Sequence, residues 1–583
     1  MPKVGINATA MKESFMSVRK VLVWFTLIVL LLAAAISGSA AELKYRWVYC
    51  SYSLTVDANV PKVLDILHRS KAAGYNGMML SEYHLAQLDL VDKKYLKNLQ
   101  MVVDTAKELG IDIYPEVCFF GCSWAMLANN PNLAEGTPIK DAVFKVKGGQ
   151  ADIVPTVKFP NGNFEQAQGN SFPGWNIDGM GKIAFVDKEV SHDDKQSLRM
   201  ENLNGKDCRM MKTVKLTPYH LYHMSWWTKT ENFDHSYVNV ELNAADGRNL
   251  AWPCMDDISL GYGNRPPPTT GWTKYECDFN SFGNNTATLV MGVYGGQHGK
   301  MWWDDVKVED VGLLNIIRRN GCPLIVKGEN GTVYQECKDF KPVSDPLLGK
   351  AQVKGMLGGK LTGINEDPSM GNPMVPGWYS VYHKPPTIHL TAKSRIKEGQ
   401  RLLVSYYSVF PTTHHGEVNA CFSAPEVYKL LGNEIKSCNK ALQAKGYCMG
   451  HDEIRMANWC GLCESRNMTP GQLLADNIKR CEGIVKNVNP NATVFAWSDM
   501  FEPQHNATTN KNYYLVNGPW AGSWEGLSKD VVILNWYKTQ HTLDFFAGQG
   551  NPQILMGYYD EPPTGDIVGW QEMAKNTPNA NIV

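Results

Sequence analysis

The 583-residue sequence predicts a (β/α)8 TIM barrel interrupted by an inserted β-sandwich. Three observations carry that expectation. Strand and helix periods alternate over residues 45–120, the rhythm of βαβ units and a parallel sheet. Between about 165 and 311 the rhythm stops and short alternating strands replace it. After 401 it resumes.

The chain opens with a leader over 1–41. Val18-Arg19-Lys20 is a basic start, residues 21–36 carry no charge, and Ser39-Ala40-Ala41 supplies the small residues of a cleavage site. Met11 or Met16 would serve equally well as the start of this signal. An uncleaved anchor is the alternative, but a span needs about 20 apolar residues. We therefore expect a secreted or periplasmic protein with no membrane segment after cleavage.

The first part of the barrel is expected over 42–164. Residues 46–50 read as a strand. Val60, Val63, Leu64 and Leu67 mark a helix that Gly74 closes. Residues 76–80 are the second strand, 95–109 an amphipathic helix ended by Gly110, and 111–117 the third strand. Residues 312–400 form a β- and loop-rich connector. The second part of the barrel, 401–583, offers strands at 402–407, 447–450, 493–497, 531–536 and 553–558, with helices at 425–445 and 473–488. If 402–407 does not belong to the barrel, the eighth strand must start at Asn581-Ile582-Val583, and the sequence reads as stopping short of the barrel's end.

The segment 165–311 holds the expected sandwich, with strands at 197–200, 237–242 and 288–293. Seven of the 17 Trp lie between Trp175 and Trp303. It ends in Trp302-Trp303-Asp304-Asp305-Val306-Lys307-Val308, which resembles the last strand of jelly-roll carbohydrate-binding modules. Any one Trp could pack the core; Trp226, Trp227, Trp252 and Trp272 are candidates for a sugar groove.

Composition narrows the function. The 57 Lys and Arg against 58 Asp and Glu leave a charge of −1, without the basic surplus of a nucleic-acid binder. Aromatics at 10% supply flat apolar faces with polar edges, which match the C–H faces of sugars. All 14 Cys follow the leader, and in an exported protein some should pair. Cys460-Gly-Leu-Cys463 suits a disulfide or buried thiols better than zinc, because no second Cys-x-x-Cys exists, although Cys448 and Cys481 are near in sequence. No metal and no cofactor is expected.

Reactive groups of such barrels stand at the carboxyl ends of strands. Here those positions hold Glu82, Glu116, His451-Asp452-Glu453, Asp499 with Glu502, and Tyr558 with Asp560-Glu561. Carboxylates among aromatics suit glycoside hydrolysis, where one acid protonates the leaving oxygen and another group supports the charge on the ring.

Gly450-His451-Asp452-Glu453 resembles the "G-G-D-E" strand end of family 20 glycoside hydrolases, the β-N-acetylhexosaminidases. Ile113-Tyr114-Pro115-Glu116 is similar to that family's "I-x-x-P-E", Trp497-Ser498-Asp499 to its "W-x-E/D", and Tyr558-Tyr559-Asp560 to its "Y-L-D". The resemblance implies Glu453 as general acid and base and Asp452 as the group that orients the substrate's 2-acetamido nucleophile. It implies Trp497 and Trp536 as cage walls, and Glu116, Asp499, Tyr558 and Asp560 as substrate contacts. His451 replaces a Gly of the motif and is read as a hydrogen-bonding neighbour of the substrate site. The first strand lacks the family's Arg, and Cys118-Phe119-Phe120-Gly121 stands where "P-G-H" is expected, which leaves the sugar and exo or endo action open. A double-displacement glycosidase with Glu116 or Glu561 opposite Glu453 is the second enzyme reading. A non-catalytic carbohydrate-binding protein is the third. In every case the partner is an oligosaccharide, polysaccharide or glycoconjugate.

Overall fold

The computed structural model describes residues 43–234, 236–253, 266–349, 379, 382–412, 418–510, 513–557, 565–577 and 579–583. The leader expected over 1–41 lies outside them. The chain divides into two compact units, residues 1–46 with 583, and Trp47–Ile582. In the first, Arg46 Nη1 donates to the Leu43 carbonyl at 2.7 Å. The rest concerns the second unit. Among the described residues no helix is long and apolar enough to cross a membrane.

Eight strands form one sheet in chain order: Trp47–Cys50, Gly77–Leu80, Asp112–Val117, Gly446–Met449, Thr493–Trp497, Val532–Asn535, Pro552–Leu555 and Asn581–Ile582. Every neighbouring pair is parallel. The first two crossovers carry helices Val60–Ala72 and Lys93–Leu109. Asp92 caps the second by accepting from the Tyr95 N–H, and Gly110, at φ +65°, ends it. Helix Pro470–Val488 follows the fourth strand and opens with a reciprocal cap between Thr469 and Gln472.

The sheet curls. In a flat sheet the first and fifth strands would lie about 19 Å apart, at roughly 4.8 Å per strand. The Trp47 ring instead sits 4.8 Å from Phe495 on the fifth strand and 4.1 Å from Tyr114 on the third. These side chains therefore point into a shared interior.

Residues 118–445 are inserted between the third and fourth strands. They hold two five-stranded antiparallel sheets between Asn176 and Asp310 whose inward residues share one hydrophobic core. They also hold a six-stranded antiparallel sheet in which Thr137–Lys147 lies between Gln150–Ile153 and Arg401–Ser408, and Arg401–Ser408 pairs on its other side with Ile325–Gly328. Of the two placements left open for 402–407, the structure takes the one outside the parallel sheet: they belong to this third sheet. One expectation changes, because much of 137–153, expected in the first part of the barrel, joins the third sheet as well. Alternating burial along Arg401–Ser408 explains the difference: Leu402, Val404, Tyr406 and Ser408 are buried between half-exposed neighbours, as in a strand with one covered face. The eighth place in the parallel sheet falls to Asn581–Ile582.

Candidate functional site

The third, fourth and fifth parallel strands bring carboxylates together at their carboxyl ends. Side chains alternate along the fourth strand, so Gly446 and Gly450 face the interior. A Cβ on Gly446 would meet the Phe495 ring, and one on Gly450 would lie 3.3 Å from Glu116 Oε1. The loop after the third strand presses on the next residues: a Cβ on Gly121 would stand 1.7 Å from the Asp452 carbonyl oxygen. Only glycine permits that approach.

Beyond Gly450 the backbone leaves the strand, and Glu453 adopts φ +41°. An extended chain would send neighbouring acids to opposite faces. The left-handed turn overrides this and aims the Glu453 N–H at Asp499 Oδ2, at 3.0 Å. Asn506 Nδ2 donates to the same oxygen, also at 3.0 Å. Asp452 borders Asp499, and its other close charges are Glu453, Glu116 and, opposing them, the Arg455 cation. Burial, reinforced by those three carboxylates, drives Asp452 well above the usual carboxylate range. Burial and then the Glu453 charge push Asp499 up to about 6, against the N–H of Glu453. Two adjoining buried carboxyls cannot both ionise cheaply, so the pair retains a proton.

Glu453 is the open member, its side chain 41% exposed, and it accepts from Arg455 Nη2 at 2.5 Å. The Arg455 guanidinium also lies over the Tyr514 ring at 5.2 Å, and Tyr513 borders Glu453. Glu116 is buried and accepts from Trp497 Nε1 at 2.7 Å; burial raises its carboxyl. Trp497 meets Tyr49 edge-on at 6.4 Å, so two aromatics stand beside the acids.

A second cluster follows the fifth and sixth strands. Glu502 Oε1 lies 2.5 Å from His541 Nδ1. His505 stacks on Tyr537 at 4.0 Å and meets Trp536 edge-on at 4.9 Å. Burial pushes His505 down to about 4.

His451 departs from its expected place. Its ring is fully buried, donates from Nε2 to Asn477 Oδ1 of helix Pro470–Val488 at 2.6 Å, and stacks on Phe120. Strand alternation puts it on the face opposite Gly450. Glu82 is likewise consumed locally, by Tyr95 Oη, by the ring and N–H of His84, and by Ser53. Tyr558, Asp560 and Glu561 lie outside the described residues. Arg455, Asn506 and Tyr513 were missed by the sequence reading; only Arg455, two residues past Glu453, carried a signal there.

In the sandwich the Trp residues divide by strand alternation. Trp226 points inward and is fully buried. Trp227 points outward and stacks on His192 at 3.8 Å, with Trp272 edge-on to the same ring at 5.7 Å. The paired acids of the last strand hold that ring: Asp304 accepts the His192 N–H at 2.9 Å, and Asp305 lies 2.9 Å from its Nδ1. Trp252, half-buried, donates to Asn239. Trp302 and Trp303 are core.

All thirteen described cysteines are free, eleven of them buried, which overturns the expected disulfides among them.

No protein-family model and no curated protein matches this chain. Among solved structures it is similar to a family 16 carbohydrate-binding module at 18% identity, over 25% of this chain and 96% of that one, with a TM-score of 0.20. It is similar to TmCBM61 in complex with β-1,4-galactotriose at 18% identity, over 26% and 97%, with a TM-score of 0.19. The CBM22-1 xylan-binding domain of Paenibacillus barcinonensis Xyn10C matches at 16% identity, over 25% and 89%, with a TM-score of 0.19.

Proposed function

We propose that this chain is an exported glycoside hydrolase whose curled parallel sheet closes as a (β/α)8 barrel. Its reaction centre is the group Asp452, Glu453 and Asp499. The observation that carries this is the juxtaposition of a buried, proton-retaining Asp452–Asp499 pair with an open carboxyl, Glu453, whose own N–H is tied to that pair. Glycosidic cleavage needs a proton delivered to the leaving oxygen and negative charge near the ring. Glu453 faces the open side and meets the leaving oxygen. Asp452 stays inside and orients the 2-acetamido group, whose own oxygen attacks the anomeric carbon. Trp497 and Tyr49 supply apolar faces for the sugar. Delivering a proton from Glu453 requires Arg455 to give way to the leaving oxygen.

The Arg455 contact favours a second reading. A carboxylate held by a guanidinium is prepared for attack, so Glu453 would be the nucleophile of a double displacement and the Asp452–Asp499 pair the proton source. Aryl β-N-acetylglucosaminides and β-N-acetylgalactosaminides, with and without the acetamido group, separate the two. Substrate assistance requires turnover of the acetamido sugars alone and inhibition by a thiazoline analogue. Turnover of sugars lacking the group, with a trapped glycosyl-Glu453, requires the second. No turnover of any glycoside, with sugar still bound by the sandwich, would leave only a carbohydrate-binding protein.

A further inference from the structure

Three chain segments far apart in sequence deliver thiols to one buried point. Cys421 Sγ lies 3.4 Å from Cys460 Sγ and 3.6 Å from Cys463 Sγ. A carboxylate oxygen of Glu135 joins these three sulfurs in a group whose four atoms all lie within 4.8 Å of one another, and Cys322 borders Cys460 at its edge. With a metal–sulfur bond of ~2.3 Å, the edge of a tetrahedron of thiolates is about 3.8 Å. A multi-iron cluster would hold its thiolates farther apart, and hydrophobic packing alone has no need to gather sulfur.

The backbone around these thiols is shaped as two opposed knuckles. Gly321 and Gly461, each beside a cysteine, press together: the Gly461 N–H donates to the Gly321 carbonyl at 3.0 Å. A Cβ on Gly321 would lie 2.7 Å from the Leu462 nitrogen, and one on Gly461 would lie 2.7 Å from the Gly321 oxygen. Gly321 sits at φ +77°. The Ser423 N–H points at Cys421 Sγ at 3.4 Å, a contact that favours thiolate over thiol. Glu135 Oε1 accepts from the N–H groups of Trp459 and Cys460 at 2.7 and 2.9 Å, which holds the Cys-x-x-Cys loop in place. The Arg319 guanidinium borders Cys421, Cys460 and Cys322 and supplies positive charge to an anionic sulfur set.

We propose that Cys421, Cys460, Cys463 and one carboxylate oxygen of Glu135 bind a single tetrahedral metal ion, zinc by its preference for thiolates, as a structural clamp. Glu135 Oε2, 3.7 Å from Cys463 Sγ, faces the sulfurs, while Oε1 holds the loop backbone. The proposal departs from the expectation of no metal. The sequence conceals such a site because the partners of Cys460 and Cys463 are a single cysteine, 421, and a glutamate, 135, both distant in numbering. Its place matters: Cys460 and Cys463 end the loop that begins at Asp452, and Glu135 precedes the strand Thr137–Lys147 of the third sheet. The ion therefore ties the carboxylate-bearing loop to the inserted sheet. This inference does not depend on the hydrolase reading.

The test is metal analysis of the full chain purified without chelator. One zinc per chain is expected, with X-ray absorption showing about three sulfur neighbours at ~2.3 Å and one oxygen at ~2.0–2.2 Å. Cobalt reconstitution should give the thiolate-to-metal absorption of a tetrahedral site. Cys421→Ser, Cys460→Ser, Cys463→Ser and Glu135→Ala should each lose the ion, whereas Cys438→Ser, a buried thiol elsewhere, should keep it. If the ligand variants fail to fold, the absorption spectrum of the unaltered protein still decides. A metal-free protein, an ion with only nitrogen and oxygen neighbours, or a Cys460–Cys463 disulfide would overturn the proposal. Retention by Glu135→Ala with loss in Cys322→Ser would overturn the assignment of the fourth ligand.

Discussion

The backbone N–H of Glu453 is bonded to the carboxylate of Asp499 at 3.0 Å, and Glu453 reaches it only by a left-handed turn at φ +41°. Residues other than Gly, Asn and Asp seldom take that conformation, at a cost of about 1–3 kcal/mol that the surroundings must offset. The surroundings here are the Asp499 bond, the Arg455 ion pair and the Gly121 knuckle. Glu453→Gln keeps the turn and removes the proton chemistry. Its kcat should fall by ~10²–10⁴, the usual span for a general acid or base, while sugar affinity changes little. Unaltered kcat in this variant would remove Glu453 from the reaction.

Asp499 makes stability depend on pH. Its folded value of about 6 exceeds the ordinary 3.8, so between those values the folded chain keeps a proton that the unfolded chain has lost. The sign follows: the contribution is fully present below about pH 4 and is lost as pH rises through about 6. Asp499→Asn abolishes the titration. Urea titrations from pH 4 to 8 should show the unaltered protein losing ground to D499N across that window and holding a constant gap above it. A gap independent of pH would mean that Asp499 is not the titrating group.

His505 works in the opposite direction. Burial lowers it from 6.5 to about 4, so the unfolded chain gains its proton first as pH falls. Stability present above pH 6.5 is lost as pH drops toward 4. His505→Gln should flatten that acid limb in the same titrations without moving the limb governed by Asp499. A steep acid limb surviving in H505Q would assign the effect to another group.

The parallel sheet was legible because its strands are short apolar runs closed by glycine-ended helices, and Gly74 and Gly110 do sit at positive φ. The carboxylates at the strand ends were legible for the same reason: alternation and strand length place Glu116, Asp452 and Asp499 without further information. His451 shows the limit. Its residue type suggested the site, but alternation turns it toward Asn477, and the motif resemblance masked that parity. The third sheet was illegible because its strands, 137–153 and 325–408, flank the sandwich in sequence and meet only through long-range pairing. The thiol cluster was hidden likewise, since the spacing of 135, 421, 460 and 463 carries no local pattern.

Gly121 tests how tightly the site is built. Its hypothetical Cβ would fall 1.7 Å from the Asp452 carbonyl oxygen, a backbone atom that cannot step aside as a flexible side chain would. Gly121→Ala must displace either the Phe119–Gly121 loop or the Asp452–Glu453 turn. Overpacking of this kind costs about 1–3 kcal/mol. We expect a lower Tm and a fall of kcat greater than the fall in sugar affinity, because the turn aims Glu453. A variant with lower Tm and unchanged kcat would show that the turn does not set the geometry of the reaction.

Adjacent tryptophans in the sandwich should answer substitution in opposite ways. Trp226 is fully buried against Tyr275, whereas Trp227 stacks outward on His192 beside Trp272. Trp226→Ala leaves a cavity and should cost ~3–5 kcal/mol, read as a lower urea midpoint. Trp227→Ala and Trp272→Ala remove only a half-exposed aromatic face and should leave the midpoint nearly unchanged. If that face is a sugar platform, as the aromatic content suggests, the same two variants should lose retardation in gels containing the bound polysaccharide, and Trp226→Ala should keep it while folded. The acids of the last strand extend the argument. Asp304 and Asp305 hold His192 beneath Trp227, so Asp305→Asn should weaken sugar retention without touching a sugar. Equal retention by all of these proteins would place any sugar contact of the sandwich on another surface.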